Sequence, residues 1–399
     1  MENTKAMRRS LTLKYAIVQG LYWMIYCSMY GFASSFLLGS HFENKAVGII
    51  TAVANIFAVF LQPYLGNLAD KVEKITVKKL LTILAIATLA LDVVILFTAN
   101  VSQMLLAVLF TVANILMLTL QPLINSLIYE YINRGIDVNY GATRGIGSLS
   151  YAIISYVLGQ LLSSNGALIL PFVASVLFVL FIIMIQLFPK IDDKKAHEAK
   201  AQAANESYLD FLKKYKALLP FLLAIVFVYI THTYLNTFML QILENLNGTN
   251  ADLGTATLYS ALSELPVMFA FAYIVKYVKG STLLKWSAFF YVVRCAIVLM
   301  ATNVVMINVS QLFQALSFAL FTPASVYYIN KLVNDDDKVK GQTVMLGATT
   351  LGGVIGNFTG GLILDNFTVS TMITVGLISA AIAIIFYVIA SHREKNQSL

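Results

Sequence analysis

The chain has 399 residues, of which 59% are hydrophobic and only 12% are charged, and its mean hydropathy is +0.78. Soluble domains carry about 25% charged residues, so the composition excludes a soluble globular protein and predicts an integral membrane protein. The formal net charge of +7 does not indicate a nucleic-acid partner, because the basic residues are concentrated in alternate connections between apolar runs. Cys27 and Cys295 both lie inside apolar runs, so neither a disulfide nor a cysteine metal site is expected.

Twelve apolar runs are long enough to cross a bilayer, which takes about 20 helical residues. In chain order, spans one to twelve cover residues 15–38, 46–65, 80–98, 104–129, 145–162, 168–188, 218–242, 255–277, 284–302, 305–332, 344–364 and 369–390. We therefore predict an all-α membrane protein with twelve transmembrane helices.

The polar interval 189–217 divides these spans into six and six. Its Lys, Asp, Glu, Ala and Gln content is typical of a solvated linker with a helical tendency. Residues 1–188 and 218–399 are accordingly predicted to form two pseudo-symmetric six-helix bundles. The entries to spans five and eleven, GATRGIGS and GQTVMLGA, support an internal repeat because they share Gly141/Gly341, Thr143/Thr343 and Gly147/Gly347. Such repeats, with a site at the midplane, are typical of secondary transporters.

The basic residues indicate how the chain is oriented in the membrane. Of 27 Lys and Arg residues, only Lys45 and Arg294 fall outside the connections and tails that the alternation assigns to one side. Basic residues are enriched on the cytoplasmic side, so both termini, including the basic stretch 1–14, are predicted to be cytoplasmic. The expected location is the cytoplasmic membrane of a bacterium, with membrane lipid around the spans.

Two charged residues stand inside apolar runs. Glu264 lies in span eight and Arg294 in span nine, and a hairpin through a bilayer would place both near the midplane. A lone charge at the centre of a membrane helix costs about 3 kcal/mol, so each residue needs a reason to be there. Our hypothesis is that Glu264 is the protonation site and Arg294 its partner, because a carboxylate beside an arginine can exchange an ion pair for a proton. The alternative is a structural ion pair that orients the two helices.

His232, in span seven, is a further titratable residue at depth. Imidazole titrates near neutrality, so His232 can serve proton coupling as a relay or can donate a hydrogen bond to a substrate. A packing role is the alternative. No second His, Cys or paired carboxylate stands beside it in the sequence at metal-ligand spacing, so no metal site is expected.

Span one is rich in aromatic residues, including Trp23 and Tyr26, and span four carries Asn125. Aromatic faces stack on sugar or base rings while amides bind hydroxyl groups, so these residues are predicted to line a cavity for a small polar solute. Interhelical hydrogen bonding is the alternative for each residue taken singly. The sequence contains no phosphate-binding loop and no large soluble domain. We therefore expect neither an enzyme nor ATP-driven transport, and no cofactor besides a proton gradient as driving force.

The connection after span two carries a recognisable pattern. Its sequence GNLADKVEKITVKK (66–79) resembles the loop signature of the major facilitator superfamily, with Gly66, Asp70 and Lys71 in place. The resemblance implies that Asp70 and Lys71 take part in gating, the switch between inward-open and outward-open states. A solvated aspartate beside basic residues is the alternative. The following positions depart from the signature, since Glu73 stands where a second glycine is expected.

Other stretches are similar to the lactose permease and oligosaccharide/proton symporter branch of that superfamily. They are NYGATRGIGS with Arg144, LYSALSELP with Glu264 and VVRCA with Arg294. The resemblance implies that Arg144 binds substrate, and that Glu264 and Arg294 serve sugar binding and proton coupling.

The same resemblance has gaps. Ser126, beside Asn125, stands where that branch has a glutamate opposite the sugar-binding arginine, and Phe318 and Phe321 stand where it has a coupling histidine and glutamate. Lactose itself is therefore not the expected substrate. The predicted substrate-binding residues are Arg144, Asn125, Ser126, Tyr26 and Trp23.

These observations predict a secondary active transporter that moves a small polar solute, oligosaccharide-like or nucleoside-like, by proton-coupled symport and alternating access. It is expected to work as a monomer. The alternative is a drug/proton antiporter; such antiporters usually carry a Gly- and Pro-containing motif in helix five, and residues 145–162 contain no proline. A channel and a receptor or scaffold role are further alternatives, of which the six-plus-six layout disfavours the channel.

Overall fold

The computed structural model describes residues 2–71, 76–99, 101–132, 136, 138, 140–189, 208–215 and 217–397, and every regular element within them is helical. The first half contains α1 (Glu2–Tyr26), α2 (Ala33–Gly39), α3 (Asn44–Lys71), α4 (Val77–Thr98), α5 (Gln103–Ile132), α6 (Tyr140–Asn165) and α7 (Ile169–Gln186), and the short α8 (Tyr208–Lys214) follows the predicted linker's undescribed part. The second half contains α9 (Leu218–Thr237), α10 (Met239–Glu244), α11 (Asn250–Tyr277), α12 (Gly280–Leu299), α13 (Val304–Leu312), α14 (Phe318–Leu332), α15 (Lys338–Asn366) and α16 (Val369–Gln397). The predicted all-α class is confirmed.

Ten helical segments in the described residues are long and apolar enough to cross a membrane, or eleven if Met7–Gly31 and Ala33–Gly39, bent by 43°, count as one span. The prediction was twelve. The remaining predicted span lies within α15, which is 29 residues long. Its repeated glycines and threonines lower its hydropathy, so its length fits a span better than its composition does.

Several helices begin at a side chain that satisfies the free backbone N–H groups of the first turn. Thr76 precedes α4 and its hydroxyl accepts from the Lys79 N–H at 3.2 Å. Before α11, Thr249 and Asp252 form a capping box in which each side chain accepts from the backbone of the other. These caps fix where the helices start, because an uncapped first turn leaves donors without partners.

Three predicted spans are interrupted helices. Span one contains a π-helical segment, Cys27–Gly31, between α1 and α2. Span seven is divided at Phe238, between α9 and α10. In span ten, a 3-10 turn, Phe313–Ala315, separates α13 from α14. Such interruptions redirect side chains and release backbone groups inside a membrane, where they are tolerated only within protein or beside a cavity.

The chain forms two compact units, and the first contains the described residues within Met1–Phe42 and Val53–Ala203. Here α1 packs against α6, and α4 packs against α5 and α7. The core is aliphatic and aromatic, with Tyr15, Leu120 and Phe181 all fully buried. Residues 190–207 of the predicted linker lie outside the described residues.

The second unit contains the described residues within Glu43–Ala52 and Ala204–Leu399. Helix α9 lies at its centre and packs against α15 and α16. The glycines of α15 allow this close approach: a Cβ atom on Gly352 would lie 2.5 Å from the backbone oxygen of Val226, and one on Gly356 would lie 2.8 Å from Cβ of Thr233. A small-residue face of this kind is typical of closely packed membrane helices.

The first turns of α3 belong to this second unit as well. The Asp365 carboxylate accepts hydrogen bonds from the backbone N–H groups of Asn44 and Lys45 at 3.1 and 2.7 Å. A Cβ atom on Gly48 would lie 2.1 Å from the backbone oxygen of Asn357. The acidic cap at a helix N-terminus and the missing side chain therefore hold the first turns of α3 directly against α15.

Candidate functional site

The second unit encloses a charged residue in its interior. Arg294, on α12, has 0% of its surface exposed. Its Nη1 donates to Gln314 Oε1 and, at 3.2 Å, to Ser317 Oγ, while Nη2 donates to Gln311 Oε1 at 3.0 Å. Its Nε has no hydrogen-bond partner among the described residues. Arginine stays protonated in proteins, so a permanent positive charge is held here by neutral oxygen acceptors.

Gln314 connects this arginine to Glu264. Because a guanidinium only donates, the Gln314 oxygen must face Arg294 and its amide nitrogen must point the other way. That nitrogen lies 3.0 Å from Oε1 of Glu264, which is half-buried on α11. The predicted residues Glu264 and Arg294 are thus brought into one cluster, with Gln314 hydrogen bonded to both.

The interruption of span ten supplies the groups that surround Arg294. Gln311 lies in the last turn of α13, Gln314 lies in the 3-10 turn, and Ser317 immediately precedes α14. Ser287 on α12 donates to the backbone oxygen of Ser317 at 2.8 Å, and the same oxygen accepts the first backbone hydrogen bond of α14, from Phe321 at 3.0 Å. Sequence reasoning missed Gln311 and the break itself. Two glutamines three residues apart in an apolar run were the available signal.

His232, on α9, is in a separate part of the same unit but is connected to this cluster. Its Nδ1 lies 2.9 Å from the Tyr291 hydroxyl and 3.1 Å from Nδ2 of Asn236. The ring of Tyr291 in turn lies 5.8 Å from the Arg294 guanidinium, within cation–π range. A continuous series of polar contacts therefore runs from His232 through Tyr291, Arg294 and Gln314 to Glu264.

The first unit contains a neutral polar network around Gln19, which is fully buried on α1. Gln19 Nε2 donates to the Tyr15 hydroxyl at 2.7 Å, and its Oε1 accepts from Trp23 Nε1 at 3.2 Å. The Tyr15 hydroxyl donates to Asn125 Oδ1 at 3.1 Å. The structure thus brings two predicted binding residues, Trp23 and Asn125, into one hydrogen-bonded group through two residues, Tyr15 and Gln19, that sequence reasoning missed.

Tyr26 lies beside this network in a row of aromatic rings. Its ring centroid is 5.1 Å from that of Trp23 and 5.3 Å from that of Tyr30. Trp23 is held against α6, where a Cβ atom on Gly147 would lie 2.5 Å from the indole ring. Partly exposed aromatic faces at van der Waals spacing can accept a flat or cyclic solute.

The remaining predicted site residues are less well placed. Ser126 is exposed on α5, next to Asn125. The side chains of Arg144, Asp70 and Lys71 lie outside the described residues, although their backbones belong to α6 and α3. The loop signature continues into residues 72–75, which lie outside the described residues as well.

Asp92, on α4, was also missed by sequence reasoning. Its side chain is 1% exposed, and Oδ2 has no hydrogen-bond partner among the described residues. A carboxyl in an apolar run was the available signal, as it was for Glu264. In the described part of the chain, no group of three or more His, Cys, Asp or Glu residues is arranged to hold a metal ion.

Three comparisons relate the chain to known proteins. The model of the family described as MFS_1 like family matches residues 12–375. A Bacillus subtilis (strain 168) protein named Uncharacterized transporter YwbF is 23% identical over 378 residues, which cover 89% of this chain and 88% of that protein.

Two crystal structures have a similar fold. The nucleoside transporter NupG superposes with a TM-score of 0.79 at 17% identity, covering 96% of this chain and 98% of that one. A bacterial homolog of the human lysosomal transporter Spinster, inward-facing and occupied, superposes with a TM-score of 0.68 at 13% identity, covering 96% of this chain and 97% of that one.

Proposed function

Because the chain belongs to the MFS_1-like family, and is an integral membrane transporter rather than an enzyme, we propose that it moves a small polar solute by proton-coupled symport. The family match confirms the predicted superfamily. The proposed location is the cytoplasmic membrane of a bacterium, with both termini in the cytoplasm, and the proposed functional form is a monomer.

The observation that carries this proposal is the link from Glu264 through Gln314 to the buried Arg294. A carboxylate attracts the arginine charge and accepts from Gln314. Once protonated, it loses its negative charge and accepts more weakly. The attraction on Arg294 and the hydrogen bond from Gln314 are then both weaker, without any movement of Arg294. The three residues come from α11, α12 and the break in span ten, and proton binding therefore acts on three helices together. We assign Glu264 as the protonation site and Arg294 as its partner.

The solute class is inferred from the first unit. A fully buried amide flanked by Trp23 and Asn125, next to the ring of Tyr26, supports a solute with both a ring and several hydrogen-bonding groups. Nucleosides and oligosaccharides share these properties, and the fold shared with the nucleoside transporter NupG supports testing nucleosides first. Arg144 and Ser126 are assigned to the same solute, and Asp70 and Lys71 to gating, on the strength of the sequence resemblance.

Transport in proteoliposomes tests the proposal. An inward proton gradient is imposed and the accumulation of labelled uridine, raffinose and a cationic dye is measured. Gradient-dependent accumulation of uridine or raffinose is expected, and Glu264→Gln should abolish accumulation while retaining solute exchange. Coupling that survives in Glu264→Gln with its pH dependence intact would remove Glu264 from the mechanism. Extrusion of the dye alone would instead assign the chain to the drug/proton antiporters.

A further inference from the structure

We propose that His232 is a fixed hydrogen-bond donor to the transported solute, through the proton on its Nε2, and does not carry the coupled proton. The inference rests on the proposed transport of a polar solute. It chooses between the two roles, relay and donor, that an imidazole at this depth can have.

A contact with the backbone fixes the orientation of the Asn236 amide. One of its two terminal atoms lies 2.7 Å from the backbone oxygen of His232. Oxygen and nitrogen of an amide are assigned from their partners, and a carbonyl oxygen can only accept. The atom in contact is therefore the amide nitrogen, Nδ2.

The contacts to Nδ1 determine which nitrogen of the His232 imidazole carries the proton. The same Nδ2 lies 3.1 Å from Nδ1 of His232. An amide nitrogen donates and does not accept, so Nδ1 must offer its lone pair and carry no proton. With Nδ1 unprotonated, the Tyr291 hydroxyl, 2.9 Å away, can only donate to it and shares its lone pair with Asn236. A neutral imidazole has one N–H group, which must then be on Nε2.

Aromatic contacts determine the direction of the Nε2–H bond. The imidazole is stacked on Phe318, with ring centroids 4.4 Å apart and planes 13° apart, and it meets the Tyr291 ring edge-on at 89°. These contacts fix the ring plane and hence the direction of the Nε2–H bond. Among the described residues, Nε2 has no hydrogen-bond partner, and the side chain is only half-buried. A donor that is oriented but unused is suited to a ligand.

The surroundings also oppose a second proton on this ring. A proton on Nδ1 would remove the lone pair that accepts from the Asn236 amide nitrogen, and the Tyr291 hydroxyl would have to accept from Nδ1 instead of donating to it. The groups around the ring are Tyr229 on α9, Tyr291 on α12 and Phe318 on α14, and no carboxylate contacts it in the described part of the chain. The nearest charge in the series of contacts is the positive Arg294, which repels an imidazolium.

This geometry selects an acceptor on the solute. A carbonyl oxygen or a ring nitrogen of a nucleobase, or a hydroxyl oxygen of a sugar, can accept from Nε2–H. A solute group that only donates is rejected, because it would leave both donors without partners.

Proton–nitrogen correlation NMR of labelled histidine tests the assignment directly, independently of transport. The His232 signal is identified by its loss in His232→Gln. The Nε2–H tautomer is expected to persist from about pH 6 to pH 8, the range in which an ordinary histidine titrates. An imidazolium signal growing in that range, or an Nδ1–H tautomer, would overturn the proposal. In Asn236→Asp a carboxylate replaces the amide donor, and the proton is expected to move to Nδ1 or to be shared as imidazolium; Asn236→Leu is the matched control without charge.

Uptake of labelled uridine and raffinose then tests the ligand role. His232→Phe keeps the ring but removes the donor, and is expected to raise KM at least tenfold with proton coupling retained. His232→Gln, which can donate from a similar position, is expected to recover part of the loss. An unchanged KM in His232→Phe, or uptake that loses only its coupling, would show that His232 does not bind the solute. If wild-type protein accumulates neither solute, the proposed function fails and the ligand role fails with it, whatever the tautomer.

Discussion

The two units of the molecule bury polar side chains in different ways. In the first unit the network around Gln19 contains only neutral groups, Tyr15, Trp23 and Asn125, which satisfy one another. In the second unit a permanent cation, Arg294, is surrounded by amide and hydroxyl oxygens and reaches a carboxyl group only through Gln314. The first network stays uncharged around neutral pH, whereas the second contains a carboxyl group, Glu264, which is the proposed protonation site. The proposed proton coupling therefore depends on the charged network of the second unit, and the proposed binding of the solute ring depends on the neutral network of the first.

The largest effect is expected where a charge loses its acceptor. Gln314→Met replaces the connecting amide by an apolar side chain of similar size and leaves Arg294 with less compensation. Breaking a buried charged contact costs about 3–5 kcal/mol, so thermal unfolding in detergent should show a large loss of stability. Gln160→Met, at an exposed position of the first unit, is the control and should have little effect. Equal melting temperatures for both variants would mean that Gln314 does not compensate Arg294.

A substitution in the neutral network should lower stability less than Gln314→Met does, and should affect solute affinity and not coupling. Gln19→Leu leaves the Tyr15 hydroxyl and the Trp23 N–H short of a partner, at a cost of about 1–3 kcal/mol. Uptake assays should show a raised KM with accumulation still dependent on the proton gradient. Loss of coupling in this variant, with KM unchanged, would contradict the assignment of the Gln19 network to solute binding.

A glycine-to-alanine substitution in each unit, which adds one methyl group, compares how tightly their helices are packed. A Cβ atom at Gly352 meets the backbone oxygen of Val226 at 2.5 Å, whereas one at Gly147 meets the Trp23 side chain at the same distance. Backbone cannot move aside as a side chain can, so Gly352→Ala should lower the unfolding free energy by about 1–3 kcal/mol and Gly147→Ala by less. Gly347→Ala, with no atom within 4 Å of the added carbon, is the control. The reverse order in thermal unfolding would indicate that α15 can shift away from α9.

The smallest effect is expected at the ends of the helices. Asp337 accepts from Lys214 and from the Tyr215 hydroxyl at 2.7 and 2.5 Å, and the Lys214 contact is the main reason that its pKa is lowered from 3.8. A lowered pKa means that the stabilisation is complete above 3.8 and is lost as the pH falls through the folded-state value. Asp337→Asn should therefore cost about 1 kcal/mol at neutral pH and nothing in strong acid, as measured by unfolding at several pH values. Asp335→Asn, which removes an exposed pair with Lys338, should cost less than Asp337→Asn at neutral pH and likewise nothing in strong acid.

The sequence predicted the fold class and superfamily because long apolar runs and the distribution of charge determine them directly. It also identified three residues with ionisable side chains inside apolar runs, Glu264, Arg294 and His232, which the structure connects in one series of contacts. It did not predict the break in span ten, since neither proline nor glycine occurs between Phe313 and Ser317. The positions of the side chains around Arg294 depend on that break. Helical periodicity therefore could not predict that Gln311 contacts Arg294.

The number of spans and the neutral network were also difficult to predict from the sequence, because both depend on contacts between helices. Helix α15 meets its neighbour through glycine, and a helix that is made for close packing has few large apolar side chains to mark it as a span. In the first unit, Tyr15 and Gln19 resemble ordinary interfacial or packing residues in sequence. Only the contact between α1 and α5 shows that they share a hydrogen-bonded group with Asn125.

The π-helical segment Cys27–Gly31 has a consequence for comparing this chain with its relatives. A π-turn is an α-turn with one residue inserted, so every side chain after it is rotated by about 100° relative to an uninterrupted helix. Trp23 and Tyr26 precede the insertion and Ala33 follows it. A relative with a regular first helix therefore matches this chain only with a one-residue gap near Cys27. Equivalences drawn without that gap assign the residues beyond it to the wrong face of the helix.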